Sequence, residues 1–238
     1  MKLDVLAFAS HPDDAELSCS GTLSLLVQQG YKVGIADLTR GEMGTRGNPQ
    51  IRSEEAKQAS DILGLSIREN LEMPDLFFDN NWLNQVKVIG VLRKYRPDIV
   101  IANAVSDRHP DHGRAALLIR ESVFKSGLPK VETVVDHEPQ ESFRPRALYH
   151  FIQTDYIEPD FIVDVSAQWE LKMASIRAYR SQFYDPGSAE PETFISKPGF
   201  LEFIEARAKV LGHRIGVRYG EGFTVVRTPG VRDLTQLI

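Results

Sequence analysis

Four times in its first half the chain passes from a short apolar run to a stretch with helical spacing. Residues 3–9 (LDVLAFA) are too short for a helix and too evenly apolar for a strand with one wet face. Such a run suits a strand buried on both faces of a parallel sheet. After a turn at Ser10–Asp14, Cys19, Leu23, Leu26 and Val27 recur at helical spacing, and Gly30 stops the helix. Val33–Leu38 predicts a second strand, Ile51–Leu63 a helix closed by Gly64, Ile67–Leu71 a short third strand and Trp82–Tyr95 another helix. Asp98–Asn103 (DIVIAN) reads as the fourth strand, and a loop carrying Ser106–His112 leads to a helix over Gly113–Ser126. This alternation predicts an α/β architecture, a doubly wound and mostly parallel sheet flanked by helices.

The second half is less regular. Residues 127–146 contain Pro129, Pro139 and Pro145 and read as a long excursion. Residues 147–153 and 161–165 predict two short strands, and 167–183 and 200–211 two helices. The Gly-rich stretch from Gly216 to Gly222 reads as a terminal loop. No repeat, low-complexity tract or linker interrupts the 238 residues, so 1–238 is expected to form one domain.

Composition narrows the function. Lys and Arg number 28 against 33 for Asp and Glu, a net charge of −5, so neither nucleic acid nor an anionic membrane is an expected partner. A single cysteine, Cys19, forms no internal disulfide and falls on the apolar stripe of the first helix. The start, Met1-Lys2-Leu3-Asp4, lacks a signal-peptide core, and no run reaches the roughly 18 apolar residues of a membrane span. A cytoplasmic protein is expected.

Chemistry concentrates in two places. Ser10-His11-Pro12-Asp13-Asp14 follows the first strand, and Asp107-Arg108-His109-Pro110-Asp111-His112 follows the fourth. In a sheet ordered 3-2-1-4 these strands are neighbours at the switch point, where ligands bind. His11 and Asp14, three apart on a tight turn, can face one metal ion, and His112 completes a His₂Asp set with one position open. Asp13 is then free to act as general base on a water acidified by the ion. Taken singly, HPDD could be a turn with a helix cap and HPDH a solvated loop. Two such clusters at adjacent strand ends argue for one site.

Other candidates carry less. The loop with Gly41, Gly44 and Gly47 has no nucleotide-binding spacing and could be a surface or a substrate loop. Arg46 and Arg52 are candidates to hold a substrate anion, against an ordinary surface charge for each. His137 reads as a solvated loop residue and His150 as a structural one, and His213 takes no role.

The stretches SHPDDAE (10–16), GEMGTRGNPQIR (41–52) and RHPDH (108–112), in this order, resemble the LmbE-like, or PIG-L, family of zinc-dependent N-deacetylases. The resemblance covers nearly the whole chain and implies a Rossmann-like sheet, a Zn²⁺ ion and removal of acetyl from an N-acetylglucosamine-type sugar. It implies His11, Asp14 and His112 as metal ligands and Asp13 as the base. It also implies His109 as a second catalytic histidine oriented by Asp111, and Arg52 as a substrate-binding arginine. Ser10 stands where the family usually has Ala. Within the family, GEMGTRG, SGLPK (126–130), IVDVS (162–166) and SQF (181–183) resemble the bacillithiol biosynthesis deacetylases, which implies N-acetylglucosaminyl malate as substrate. The same ligands accept Fe²⁺ or Co²⁺, and the likeness implies a homo-oligomer, up to a hexamer. The alternatives are a deacetylase for a chitobiose-type or antibiotic-type substrate, or a sugar- or anion-binding module without catalysis.

Overall fold

A computed structural model describes residues 1–135 and 137–238, Gln236 by its backbone alone. The first half follows the predicted alternation: β1 (Val5–Ala9), α1 (Asp14–Gln28), β2 (Val33–Thr39), α2 (Pro49–Leu63), β3 (Ile67–Met73), α3 (Trp82–Tyr95), β4 (Ile99–Ala102) and α4 (Pro110–Ser126). A two-residue pair, β5 (Val134–Val135) and β6 (Glu138–Pro139), lies within the excursion. Then come β7 (Ala147–Phe151), β8 (Phe161–Asp164), α5 (Trp169–Arg177), α6 (Phe200–Arg214) and β9 (Gly220–Val225). The main sheet has seven strands in the order β3-β2-β1-β4-β7-β9-β8. The first five of these run parallel, and β9 lies antiparallel between β7 and β8.

β1 shows why its sequence is apolar throughout. Val5, Ala7 and Ala9 point into one core layer with Ala15, Cys19 and Leu23 of α1. Leu6 and Phe8 point into the opposite layer with Val88 and Leu92 of α3 and Leu118 of α4. The strand has no wet face, as expected for the centre of a doubly wound sheet. Among the described residues, no helix is long and apolar enough to cross a membrane.

Three of the departures from expectation trace to particular contacts. α4 starts at Pro110 instead of Gly113, because His109 caps it: the His109 ring accepts a hydrogen bond from the Asp111 amide at 3.3 Å. HPDH is therefore a helix start, with proline at the first position where its missing N–H costs nothing. α5 stops at Arg177, short of Phe183. Beyond it the Ser181 amide and hydroxyl donate to Glu55 of α2, each at 2.7 Å, which draws the chain out of helical geometry. The expected terminal loop is instead β9. Its glycines hide the strand from propensity, yet Gly220 is required by packing, since a Cβ there would lie 2.9 Å from the Gly212 amide of α6.

β9 also carries the buried carboxylate of Glu221. It accepts hydrogen bonds from the Gly21 amide (3.0 Å), the Thr22 amide (2.7 Å) and the Thr22 hydroxyl (2.6 Å) of α1, and from Lys172 Nζ of α5 (2.8 Å). Lys172, only 1% exposed, also donates to the Glu16 and Leu17 carbonyls. Side chains thus enter the backbone ladder of α1 just beyond its first turn. Lys172→Met should cost about 3–5 kcal/mol by leaving Glu221 buried without its cation. The measurement is a urea unfolding curve with a lower midpoint and unchanged slope, and adding Glu221→Gln should recover part of the loss.

Candidate active site

A cleft of about 460 Å³ opens where the parallel strands end. The turns after β1, β2, β3, β4 and β7 contribute His11, Gly44, Asp75, His109 and Gln153 to its lining, and α6 contributes Arg207. β1 and β4 are hydrogen-bonded neighbours, so the two clusters found in the sequence meet at the bottom. The Ser10 hydroxyl donates to the Asp111 carbonyl at 3.2 Å and joins them directly.

The Asp14 carboxylate is the meeting point. Its Oδ2 accepts from the His11 amide (3.0 Å) and Asn103 Nδ2 (3.2 Å), and its Oδ1 accepts from Gln153 Nε2 (2.5 Å). His11 Nδ1 lies 3.4 Å from Oδ2, and His112 Nε2 lies 3.2 Å from Oδ1. Burial opposes its charge, but His112 and His11 outweigh burial and hold the carboxyl well below its usual range.

Each of these imidazoles is gripped from behind by a carboxylate. His11 Nε2 faces Asp75 Oδ1 at 3.0 Å and Asp111 Oδ2 at 3.3 Å. His112 Nδ1 faces Asp107 Oδ2 at 2.5 Å. Burial alone would lower both rings. For His11, Asp111, Asp14 and Asp75 reverse that and hold it well above its ordinary value. For His112, Asp14 and Asp107 raise it to about 9. His11, His109 and His112 also form one group whose ring nitrogens lie within 4.8 Å of one another. His11, Asp75 and Asp111 form a second group of that kind, on the far nitrogen of His11.

Asp13 occupies the helix-cap position without capping. It has φ +119° and its side chain makes no cap hydrogen bond. The left-handed backbone, costly for an L-residue, turns the carboxylate toward Arg52, whose Nη2 donates to Asp13 Oδ2 at 3.2 Å. Burial raises the Asp13 carboxyl to about 7, against the opposing pull of Arg52. The plain reading of HPDD as a turn and cap therefore fails at the side chain that would have made the cap.

Several expectations need correction. Asp111 does not orient His109 with its carboxylate: that group faces His11 and accepts from Arg114 Nη1 at 2.7 Å, and only the Asp111 amide reaches His109. Because the helix starts at Pro110, its first turn aims the Asp111 side chain across to β1. Burial and the neighbouring His11 and His112 lower the His109 imidazole. Arg46 does not line the cleft: its Nε lies 3.5 Å from Glu190. Arg52 does line it, but its guanidinium goes to the protein, donating to the Pro12 carbonyl at 2.5 Å and the Gly41 carbonyl at 3.3 Å besides Asp13. Of the remaining histidines, His150 is buried with Nδ1 2.8 Å from the Asn103 carbonyl, while His137 and His213 are exposed.

Asp75 and Gln153 belong to the site without a motif that marks them in the sequence, and Asp107, which heads the second cluster, takes from the structure its role behind His112. Asp75 and Gln153 each directly follow a parallel strand, and polarity at a strand's carboxyl end is the one signal available for them. Asp75 also orders the glycine loop, accepting from the Met43 amide at 3.0 Å and donating its own amide to Glu42 at 2.8 Å.

A family model described as PIG-L, GlcNAc-PI de-N-acetylase, matches residues 6–123. The chain is 29% identical over 240 residues to a diacetylchitobiose deacetylase of Thermococcus kodakarensis, spanning 95% of this chain and 84% of the relative. It is 28% identical over 195 residues to a Bacillus cereus protein named "Probable N-acetyl-alpha-D-glucosaminyl L-malate deacetylase 2", spanning 76% and 84%. The crystal structure of the conserved protein TT1542 from Thermus thermophilus superposes with a TM-score of 0.86 at 37% identity, covering 96% of this chain and 97% of that one.

Gly41 has φ +63°, and a Cβ there would collide with Arg52 Nη1. Gly41→Ala should therefore push Arg52 off Asp13 and lower stability by at least about 1–2 kcal/mol. A thermal melt of the variant checks it through a lower Tm.

Proposed function

Because this chain belongs to the PIG-L family of GlcNAc-PI de-N-acetylases, we propose that it hydrolyses the acetamide of N-acetylglucosaminyl malate to glucosaminyl malate and acetate. The broader activity is that of a metal-dependent hydrolase removing acetyl from an N-acetylated sugar, the class of reaction named for the family model and for the Thermococcus kodakarensis and Bacillus cereus relatives. The malate aglycone rests on the Bacillus cereus relative and on the GEMGTRG, SGLPK, IVDVS and SQF stretches. The observation that carries the reading is the meeting of His11, Asp14 and His112, with Asp13 held beside them by Arg52.

The donor set fits a divalent cation. Two imidazoles turn their near nitrogens toward Asp14 while carboxylates hold the far ones, the arrangement that orients metal-binding histidines. We assign His11, Asp14 and His112 as ligands and Zn²⁺ as the ion, with Fe²⁺ or Co²⁺ suited to the same donors. Once bound, such an ion supplies a Lewis acid for the acetyl carbonyl and acidifies water. Asp13, raised to about 7, accepts the proton of the attacking water near neutral pH. Arg52 fixes the direction of that carboxylate. His109 stands in the same group of imidazoles, and burial with its two neighbouring rings keeps it uncharged. Accepting from the Asp111 amide at Nδ1, it can donate its Nε2–H to the developing oxyanion, while the proton that Asp13 took from water passes to the departing amine. Asp111, Asp75 and Asp107 act through the histidines they hold.

Asp13→Asn should lower kcat about 10²- to 10⁴-fold, the usual scale for losing a general base, while metal analysis finds the ion retained. His112→Ala should lose the ion itself, and the reverse pattern would exchange the two roles. Acetate release from N-acetylglucosaminyl malate and from diacetylchitobiose, measured side by side, tests the substrate. A higher kcat/KM for chitobiose would replace the malate reading with the one suggested by the Thermococcus kodakarensis relative.

A further inference from the structure

Three arginines line the cleft: Arg52, Arg108 and Arg207. Arg52 is neutralised by Asp13 at 3.2 Å. Arg108 and Arg207 have no ion pair among the described residues, although every other arginine touching this region has one: Arg46 with Glu190, Arg114 with Asp111.

Arg207 is anchored without being used up. Its Nη2 donates to the Leu17 carbonyl of α1 at 2.8 Å, which leaves the remaining donors of the guanidinium without a protein acceptor among the described residues. Burial pulls it down to about 10, with Glu221 and Asp107 opposing from a distance, so it stays cationic at neutral pH. An un-neutralised cation in a half-buried wall is costly unless an anion arrives.

The two free guanidinium groups end a single aromatic ridge. Arg108 lies 4.1 Å from the Phe194 ring, Phe194 and Phe200 are 5.7 Å apart, Phe200 and Phe203 are 6.2 Å apart, and Arg207 lies 5.8 Å from Phe203. The acids of the cleft sit mainly at its bottom, in Asp13, Asp14 and Asp75. Glu192 also lines the cleft and forms no ion pair with either arginine. An anionic group on a substrate, lying beyond the reacting end, therefore meets cations without an acid only on the ridge.

We propose that Arg207 binds a carboxylate on the substrate beyond the acetylated sugar, while Arg108 offers a second cation at the other end of the ridge, so that the enzyme selects N-acetyl glycosides with an acidic aglycone over neutral ones. The proposal rests on the deacetylase reading above and moves the anion contact from Arg46 and Arg52 to α6 and the start of α4.

The test compares acetate release from N-acetylglucosaminyl malate and from its dimethyl ester, which keeps the shape and removes the charge. The wild-type enzyme should favour the acid by about 10- to 100-fold in kcat/KM, mainly through KM, as a charge-assisted bidentate contact predicts. Arg207→Gln should bring that ratio toward one, and Arg207→Lys should keep much of it. A wild-type ratio near one, or an Arg207→Gln variant that slows both substrates alike, would overturn the proposal and leave Arg207 as a prop for the Leu17 carbonyl. Should Arg207→Gln not fold, salt decides: the wild-type KM for the acid should rise with ionic strength while that for the ester holds, and parallel behaviour refutes the idea. Acetate from neither substrate would sink the deacetylase reading itself, whereas equal release from both sinks only the selectivity.

Discussion

A single buried carboxylate, Asp14, collects donors from four separate parts of the chain. The amide of His11 comes from the end of β1, Asn103 from the end of β4, Gln153 from the end of β7 and His112 from the first turn of α4. A charge in that position is tolerable only with such a full set of partners. The parallel order of β1, β4 and β7 is what supplies them, since each strand delivers its last residues to the same edge. Folding and site assembly are thus one requirement, met by the same hydrogen bonds.

Around this centre the charges alternate outward. Asp14 lies between two imidazoles, and each imidazole is held by carboxylates: Asp75 and Asp111 behind His11, Asp107 behind His112. Arg114 neutralises Asp111, and Arg52 neutralises Asp13. The order fixes ring orientation, because a histidine bonded at one nitrogen presents the other in a set direction. It also separates two adjacent carboxyls chemically. Asp13 is raised to about 7 by burial, whereas Asp14 is held low by His112 and His11. Neighbours in sequence thereby acquire different basicities, as the proposed ligand and base roles need.

Much of this is legible in the sequence, and the misses share a cause. The doubly buried β1, the 3-2-1-4 order and the two His-Asp clusters rest on local pattern and on a topological rule, and the fold keeps all of them. β9 is hidden because Gly220 and Gly222 lower strand propensity, while the close approach of α6 makes glycine necessary at 220. The family resemblance implies Asp111 as the group that orients His109, but the helix start at Pro110 sends its side chain to His11, a hundred residues distant in sequence. Arg46 and Arg52 are both anion-binding candidates in the sequence, with Arg52 the stronger, and burial beside different acids separates them: Glu190 for one, Asp13 for the other.

By itself, then, the sequence determined where the two His-Asp clusters lie and which strand ends would bring them together, because hydrophobic period and turn residues are local properties of the chain. Only the tertiary structure decided which carboxylate serves which imidazole, which arginine is left without an acid, and that a glycine-rich tail becomes an antiparallel strand between β7 and β8. Those outcomes depend on distances between segments far apart in sequence, and a hydrogen bond or ion pair is won by whichever group the packing brings within about 3 Å.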